Sequence, residues 1–206
     1  MTTIPTTLMT VSEFWDWVHR PENRDRHFEL ERGKVVEVSR PGELHGVVCA
    51  NVGWILGGYI RQRRKGYVCG NDTGVIWECD PDTVKGPDVI FYDVNRSFGE
   101  LNPKWTEEVP TLVVEVRSPN DRMSKINRRI EQYLTWGVPL VWLVDPEDKT
   151  VTIYWRDRPH AVLEADQELT AEGILSDFRC RVEDFFFMPN EANGGAAPPA
   201  STHPSA

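Results

Sequence analysis

The sequence predicts an α/β (α+β) chain, and three neighbouring stretches carry that prediction. Thr111 to Val116 is a short apolar, β-branched run, which suits a largely buried strand better than a helix. After the break at Ser118-Pro119, Met123, Ile126, Ile130, Tyr133 and Leu134 recur at helical spacing up to about Trp136. Leu140 to Val144 is a second apolar run, closed by Asp145-Pro146. Strand, helix and strand over residues 111–145 form a βαβ crossover, expected to be right-handed with parallel strands. Asn120 or Asp121 is the expected cap of its helix, and Gly137 its stop.

The remaining elements follow in chain order. Met1 to Met9 is Thr-rich and expected to be loose, and Thr10 with Glu13 makes a capping box that opens a short helix through Val18. Phe28 to Leu30 and Lys34 to Val38, turned at Arg32-Gly33, read as a hairpin. From Glu43 or His45 to Lys65 runs a longer amphipathic helix that buries Val48, Val52, Ile55, Leu56 and Tyr59, with Gly66 as its expected cap. Gly70 to Trp77 reads as a turn into a strand, Asp80 to Lys85 as a polar loop, and Ser97 to Val109 as a loop anchored by Trp105. Thr150 to Trp155 pairs as a hairpin with the preceding strand, Val162 to Leu169 adds an edge strand, and Val182 to Phe187 closes the core. Residues 1–188 are read as one domain, and 189–206, small and Pro-rich, as a disordered tail.

Charge and cysteine content narrow the functional classes. The net charge of −9 excludes a global basic field of the kind that coats nucleic acid. Locally the balance reverses: between 117 and 129 stand Arg117, Arg122, Lys125, Arg128 and Arg129 against Asp121 alone. Arg61, Arg63, Arg64 and Lys65 form a second cluster, which either stabilises the negative end of the long helix or contacts DNA. Cys49, Cys69, Cys79 and Cys180 show no CxxC spacing and no His partner at zinc-ligand intervals, so they read as buried or idle reduced thiols. With neither a membrane-length apolar run nor a signal peptide, the expected location is the cytoplasm, away from any membrane.

Two carboxylates stand out against this background. Alternation puts Glu115 on the strand face opposite Leu112, Val114 and Val116, and an acid within an apolar strand is costly unless paired or bound to a metal. Asp88 poses the same problem at the start of the run DVIFY. The crossover brings these acids and the basic helix to one end of the sheet, where ligands of α/β proteins gather. Glu29, inside the first hairpin strand, fits an exposed edge-strand acid, and Asp72 either a further acid or ordinary turn chemistry.

The ordered set GPDVIFYD, LVVEVRSPNDR and YLTWGVPLVWLVDP, preceded by FELERGKVVEV, LHGVV and GNDTGV, resembles the Uma-two family of restriction endonuclease-like proteins, within the PD-(D/E)XK nuclease superfamily. The likeness runs from about Phe28 to Tyr154. It implies a restriction endonuclease-like mixed β-sheet flanked by helices, and a metal-dependent endodeoxyribonuclease that hydrolyses phosphodiester bonds with Mg2+, Mn2+ being able to substitute. Asp88, Glu115 and the Val116 carbonyl would hold the ion, with Glu29 holding a second ion or tuning the first. His45 and Arg117 would support this shell from behind. Arg122, Lys125 and Arg128 would contact DNA. In this family a lysine stands on the helix fourteen residues after the glutamate, and here that place holds Arg129. Arginine stabilises an anionic transition state but cannot act as a base, and Lys125, one turn earlier, is the available substitute. The expected partners are DNA and a second copy, since a homodimer would cut both strands. The alternatives are a catalytically impaired module that binds DNA or a protein, with the basic stripe a solvated helix face, and a hydrolase of another phosphoester.

Overall fold

In a computed structural model of the chain, residues 4–70 and 72–189 are described. The elements are α1 (Val11–Val18), β1 (His27–Glu31), β2 (Lys34–Val38), α2 (Glu43–Arg63), β3 (Tyr67–Gly70), β4 (Val75–Glu78), β5 (Thr83–Lys85), β6 (Val89–Tyr92) and β7 (Leu112–Val116). They continue with α3 (Met123–Thr135), β8 (Leu140–Asp145), β9 (Thr150–Trp155), β10 (Ala161–Leu163), β11 (Glu168–Ala171) and β12 (Leu175–Arg181), closed by a 3-10 turn over Val182–Phe186.

The apolar runs build the central sheet. β7 and β8 pair in parallel, with Glu115 opposite Leu143, and α3 makes the crossover between them. Every other neighbour in the six-stranded order β10-β9-β8-β7-β6-β3 is antiparallel, so the sheet is mixed. Alternation then sorts the residues of β7 to two cores. Leu112, Val114 and Val116 pack with Val48, Val52 and Leu56 of α2 and with the chain's last turn. Val113 packs on the other face with Ile130 and Tyr133 of α3. A four-stranded sheet, β2-β1-β5-β4, carries a third core of Phe14, Trp17, Leu30, Val35 and Val84 against α1. Trp105 anchors its loop there, 5.1 Å from the ring of Phe14.

Several local expectations change. Residues 83–85 form a buried strand rather than part of a polar loop: Val84 enters the third core, while the Thr83 hydroxyl donates to Glu78 at 2.9 Å and accepts from the Arg32 N–H at 3.2 Å. Residues 162–169 divide between β10 on the main sheet and β11, which pairs with β12 in a sheet of their own. The α3 helix begins after Arg122 without a side-chain cap, because Asp121 accepts instead from the Ser118 N–H at 2.8 Å. α2 ends on Arg64 in the left-handed region rather than on Gly66. The Thr10–Glu13 capping box is present. The tail expected from residue 189 lies, beyond Pro189, outside the described residues, as do residues 1–3 and 71.

Candidate active site

Asp88 precedes β6, and its side chain takes the place of a ladder partner. The Val116 N–H, at the end of β7, donates to Asp88 Oδ2 at 2.6 Å, so this carboxylate is tied to the strand that carries Glu115. Gly86, two residues before it, has to be glycine: a Cβ there would lie 2.3 Å from the carbonyl oxygen of Asp72. The same Asp88 oxygen meets His45 Nε2 of α2 at 3.2 Å, and the other ring nitrogen, Nδ1, lies 3.4 Å from Cys49 Sγ one helical turn on. Asp88 Oδ1 takes no hydrogen bond among the described residues. Burial alone would lower the His45 value; the Asp88 carboxylate and the Cys49 sulfur outweigh it and raise it to about 10. The ring is therefore a cation at neutral pH.

Glu115 lies on the α3 side with its carboxylate enclosed. Tyr133 donates its hydroxyl to Oε1 at 2.6 Å, and Arg129 Nη1 stands 3.4 Å from Oε2. The same guanidinium grips Glu29 of β1 with both oxygens of that carboxylate, at 2.9 and 3.0 Å. Arg129 thus belongs first to Glu29 and only grazes Glu115, while linking the four-stranded sheet to the central one. Glu29 and Glu115 are 8% and 9% exposed, well beyond what an unpaired carboxylate tolerates. Burial pushes the Glu115 value up to about 7; Arg129 and Tyr133 oppose the rise, and the charges of Asp88 and Glu29 add to it. Burial and the Asp88 charge also raise Asp72. Glu115 in turn holds Arg129 firmly protonated, and burial keeps the Tyr133 hydroxyl a donor by raising it far above its ordinary range.

The other sequence candidates divide between surface and scaffold. Arg122 and Lys125 are exposed on α3 with no ion pair among the described residues. They share Arg129's helix stripe, two turns and one turn toward its start. Arg128 is exposed beside them and reaches Glu31 at 3.5 Å. Arg117 is drawn away to an ion pair with Asp145 of β8. In the second basic cluster Arg63 and Lys65 both bind Asp93, at 3.2 and 2.9 Å, which favours a structural role for these two.

Three residues of this region escaped the sequence reading. Tyr133 was legible only as part of the apolar stripe. Cys49 does have a histidine partner, His45, and the i, i+4 spacing on a helix was the available signal. Lys85, 5% exposed, ends β5, whose Val84 pairs with Leu30; extending that register sets Lys85 across from Glu29, and it makes no ion pair among the described residues.

Among the described residues the group of three or more donors close enough to share a metal is His45, Cys49 and Asp88, within 4.8 Å of one another; Glu29 and Glu115 are not part of it. The donor set around Asp88 and Glu115 still fits a hard divalent cation. It offers oxygen donors, Asp88 Oδ1 takes no hydrogen bond among the described residues, and the Asp88 charge adds to the rise that burial gives Glu115 and Asp72. No described helix is long and apolar enough to cross a membrane.

Comparison with solved structures finds a protein described as a putative nuclease from Anabaena variabilis, at a TM-score of 0.71 and 20% identity, covering 86% of this chain and 97% of the other. That likeness establishes a shared fold. No curated protein matches the sequence. The model of the Uma2 family, described as putative restriction endonuclease, matches residues 11–183, and the chain belongs to that family.

Proposed function

We propose that the protein is a divalent-cation-dependent endodeoxyribonuclease centred on Asp88 and Glu115. The observation that supports this reading is the Val116 N–H bond to Asp88, which ties that acid to the end of the strand carrying Glu115, where the Asp88 charge adds to the rise that burial gives the Glu115 value. Asp88 through Oδ1, Glu115 and the Val116 carbonyl are the groups that would hold Mg2+, with Mn2+ able to replace it. A bound ion supplies neutralisation of the phosphate and a more acidic water.

The chain's own groups do the rest. His45 and the Val116 N–H fix the Asp88 rotamer, and Tyr133 fixes that of Glu115. Glu115 would serve as a ligand once ionised and released from the long Arg129 contact. Arg129, held on Glu29, keeps a positive charge beside the reacting phosphate and stabilises the developing anion. Lys125 is the neighbouring amine able to exchange a proton. Arg122, Lys125 and Arg128 give α3 a local cationic face for DNA phosphates despite the overall acidity. Residues 1–188 act as one domain, in the cytoplasm, and a homodimer would present two centres to the two strands.

One observation favours a second reading. Arg129 already neutralises Glu29 and touches Glu115, so the pocket is partly satisfied without an ion, as in a nuclease-fold module that binds DNA without cutting it. Plasmid nicking with Mg2+ or Mn2+ separates the two. Nicking by the wild type that disappears in both Asp88→Ala and Glu115→Ala is the expected result. DNA binding with no nicking under either metal would establish the binding module.

A further inference from the structure

We infer that His45, Cys49 and Asp88 form a site for a zinc-class divalent cation, using one nitrogen, one sulfur and one oxygen donor. The three side chains come from two elements that the fold holds in register. His45 and Cys49 stand one turn apart on α2, and Asp88 is pinned at the head of β6 by the Val116 N–H. Their donor atoms lie within 4.8 Å of one another. Of the observed contacts, 3.4 Å from Cys49 Sγ to His45 Nδ1 and 3.2 Å from His45 Nε2 to Asp88 Oδ2, the one made by the ring nitrogen that binds is near a tetrahedral edge. Bond lengths of about 2.3 Å to sulfur and about 2.0–2.2 Å to nitrogen and oxygen give edges of roughly 3.4–3.6 Å. An ion takes only one ring nitrogen, so loading exchanges one of these two hydrogen bonds for a metal bond.

The donor types decide which ion. Magnesium demands oxygen ligands and keeps several waters, and a thiolate offers it little. Thiolate with imidazole and carboxylate selects a borderline ion such as Zn2+, for which Co2+ is a spectroscopic substitute. Three protein ligands leave the fourth tetrahedral position open to water, the pattern of hydrolytic rather than structural zinc. Among the described residues the nearby arginines and Lys65 are engaged elsewhere: Arg129 is bonded to Glu29 and Glu115, and Arg63 and Lys65 to Asp93. The site shares Asp88 with the proposed nuclease centre and none of its other ligands.

The test uses the whole protein and metal alone, without DNA, so its outcome is independent of whether the protein cuts. Titration with Co2+ is expected to give a thiolate-to-cobalt charge-transfer band at one equivalent, displaced by Zn2+ but not by excess Mg2+. The band should vanish in Cys49→Ser and persist in Cys180→Ser. His45→Gln should weaken binding by more than about 100-fold, beyond what loss of a supporting group achieves. A second readout needs no variant: Zn2+ should protect Cys49, and not Cys79, from alkylation in the wild type. Absence of the band, its survival in Cys49→Ser, or alkylation of Cys49 unaffected by Zn2+ would each overturn the assignment.

Discussion

Two sets of buried acids at one end of the central sheet solve the same problem in different ways. On the α3 face the buried acids Glu29 and Glu115 are met by a permanent cation, Arg129, and by a phenol that stays protonated. On the α2 side Asp88 is met by a backbone N–H and by His45, whose charge is conditional and whose second nitrogen leads to a thiol. The first arrangement is closed by charges that cannot leave the protein. In the second, Asp88 Oδ1 takes no hydrogen bond among the described residues, and the His45 proton is the one that an ion would replace. The difference teaches that burial of an acid does not by itself mark a metal site. What matters is whether its partner is exchangeable, and here the exchangeable partners gather at Asp88.

The largest effect should come from breaking the closed face. Arg129→Ala strands Glu29 and Glu115 without their cation, and urea unfolding should show a loss of about 3–5 kcal/mol. Arg129→Lys keeps the charge; if the natural residue limits catalysis, nicking rises rather than falls. Next comes Tyr133→Phe, which removes one hydrogen bond to a charged group and should cost about 1.5–3 kcal/mol in the same assay. Because Tyr133 holds the Glu115 value down from an even higher one, the acid limb of any cation-dependent activity, expected near pH 7, should move upward in that variant.

The conditional face is sharpened by pH. The His45 value is raised from 6.5 to about 10, so the native state holds a proton that the unfolded chain has lost between those limits. Its contribution is complete below pH 6.5 and fades as pH rises toward 10, so stability should decline across that window. The decline should be shallower in His45→Gln, measured by unfolding at a series of pH values. The smallest effect belongs to the surface: Arg122→Ala or Lys125→Ala should leave stability unchanged and reduce the salt dependence of DNA binding by about one phosphate contact each.

How much of this was legible follows from what a side chain's spacing can encode. The β7–α3–β8 crossover was readable because its pattern is local: apolar runs, a proline break and a helical stripe. Asp88 and Glu115 were readable as acids in places that require a partner. Which partner each has was not, because Glu29 reaches Arg129 across a separation of 100 residues. Tyr133 was assigned to the right helix face, but its hydroxyl passes beyond the apolar layer to Glu115, and periodicity reports faces, not side-chain tips. The β5 strand was hidden because three residues among Asp, Pro and Gly look like a loop until β1 and β4 supply partners on either side. The His45–Cys49 contact was hidden because an i, i+4 pair on a helix lies outside the loop spacings that mark zinc ligands.

Asp88 is the carboxylate on which the proposed cation binding depends most. Calorimetric titration of Mn2+ into the DNA-free protein and into Asp88→Asn and Glu115→Gln tests this directly. Binding that is abolished in Asp88→Asn and weakened in Glu115→Gln is the predicted result. Mn2+ binding that survives Asp88→Asn unchanged would contradict it.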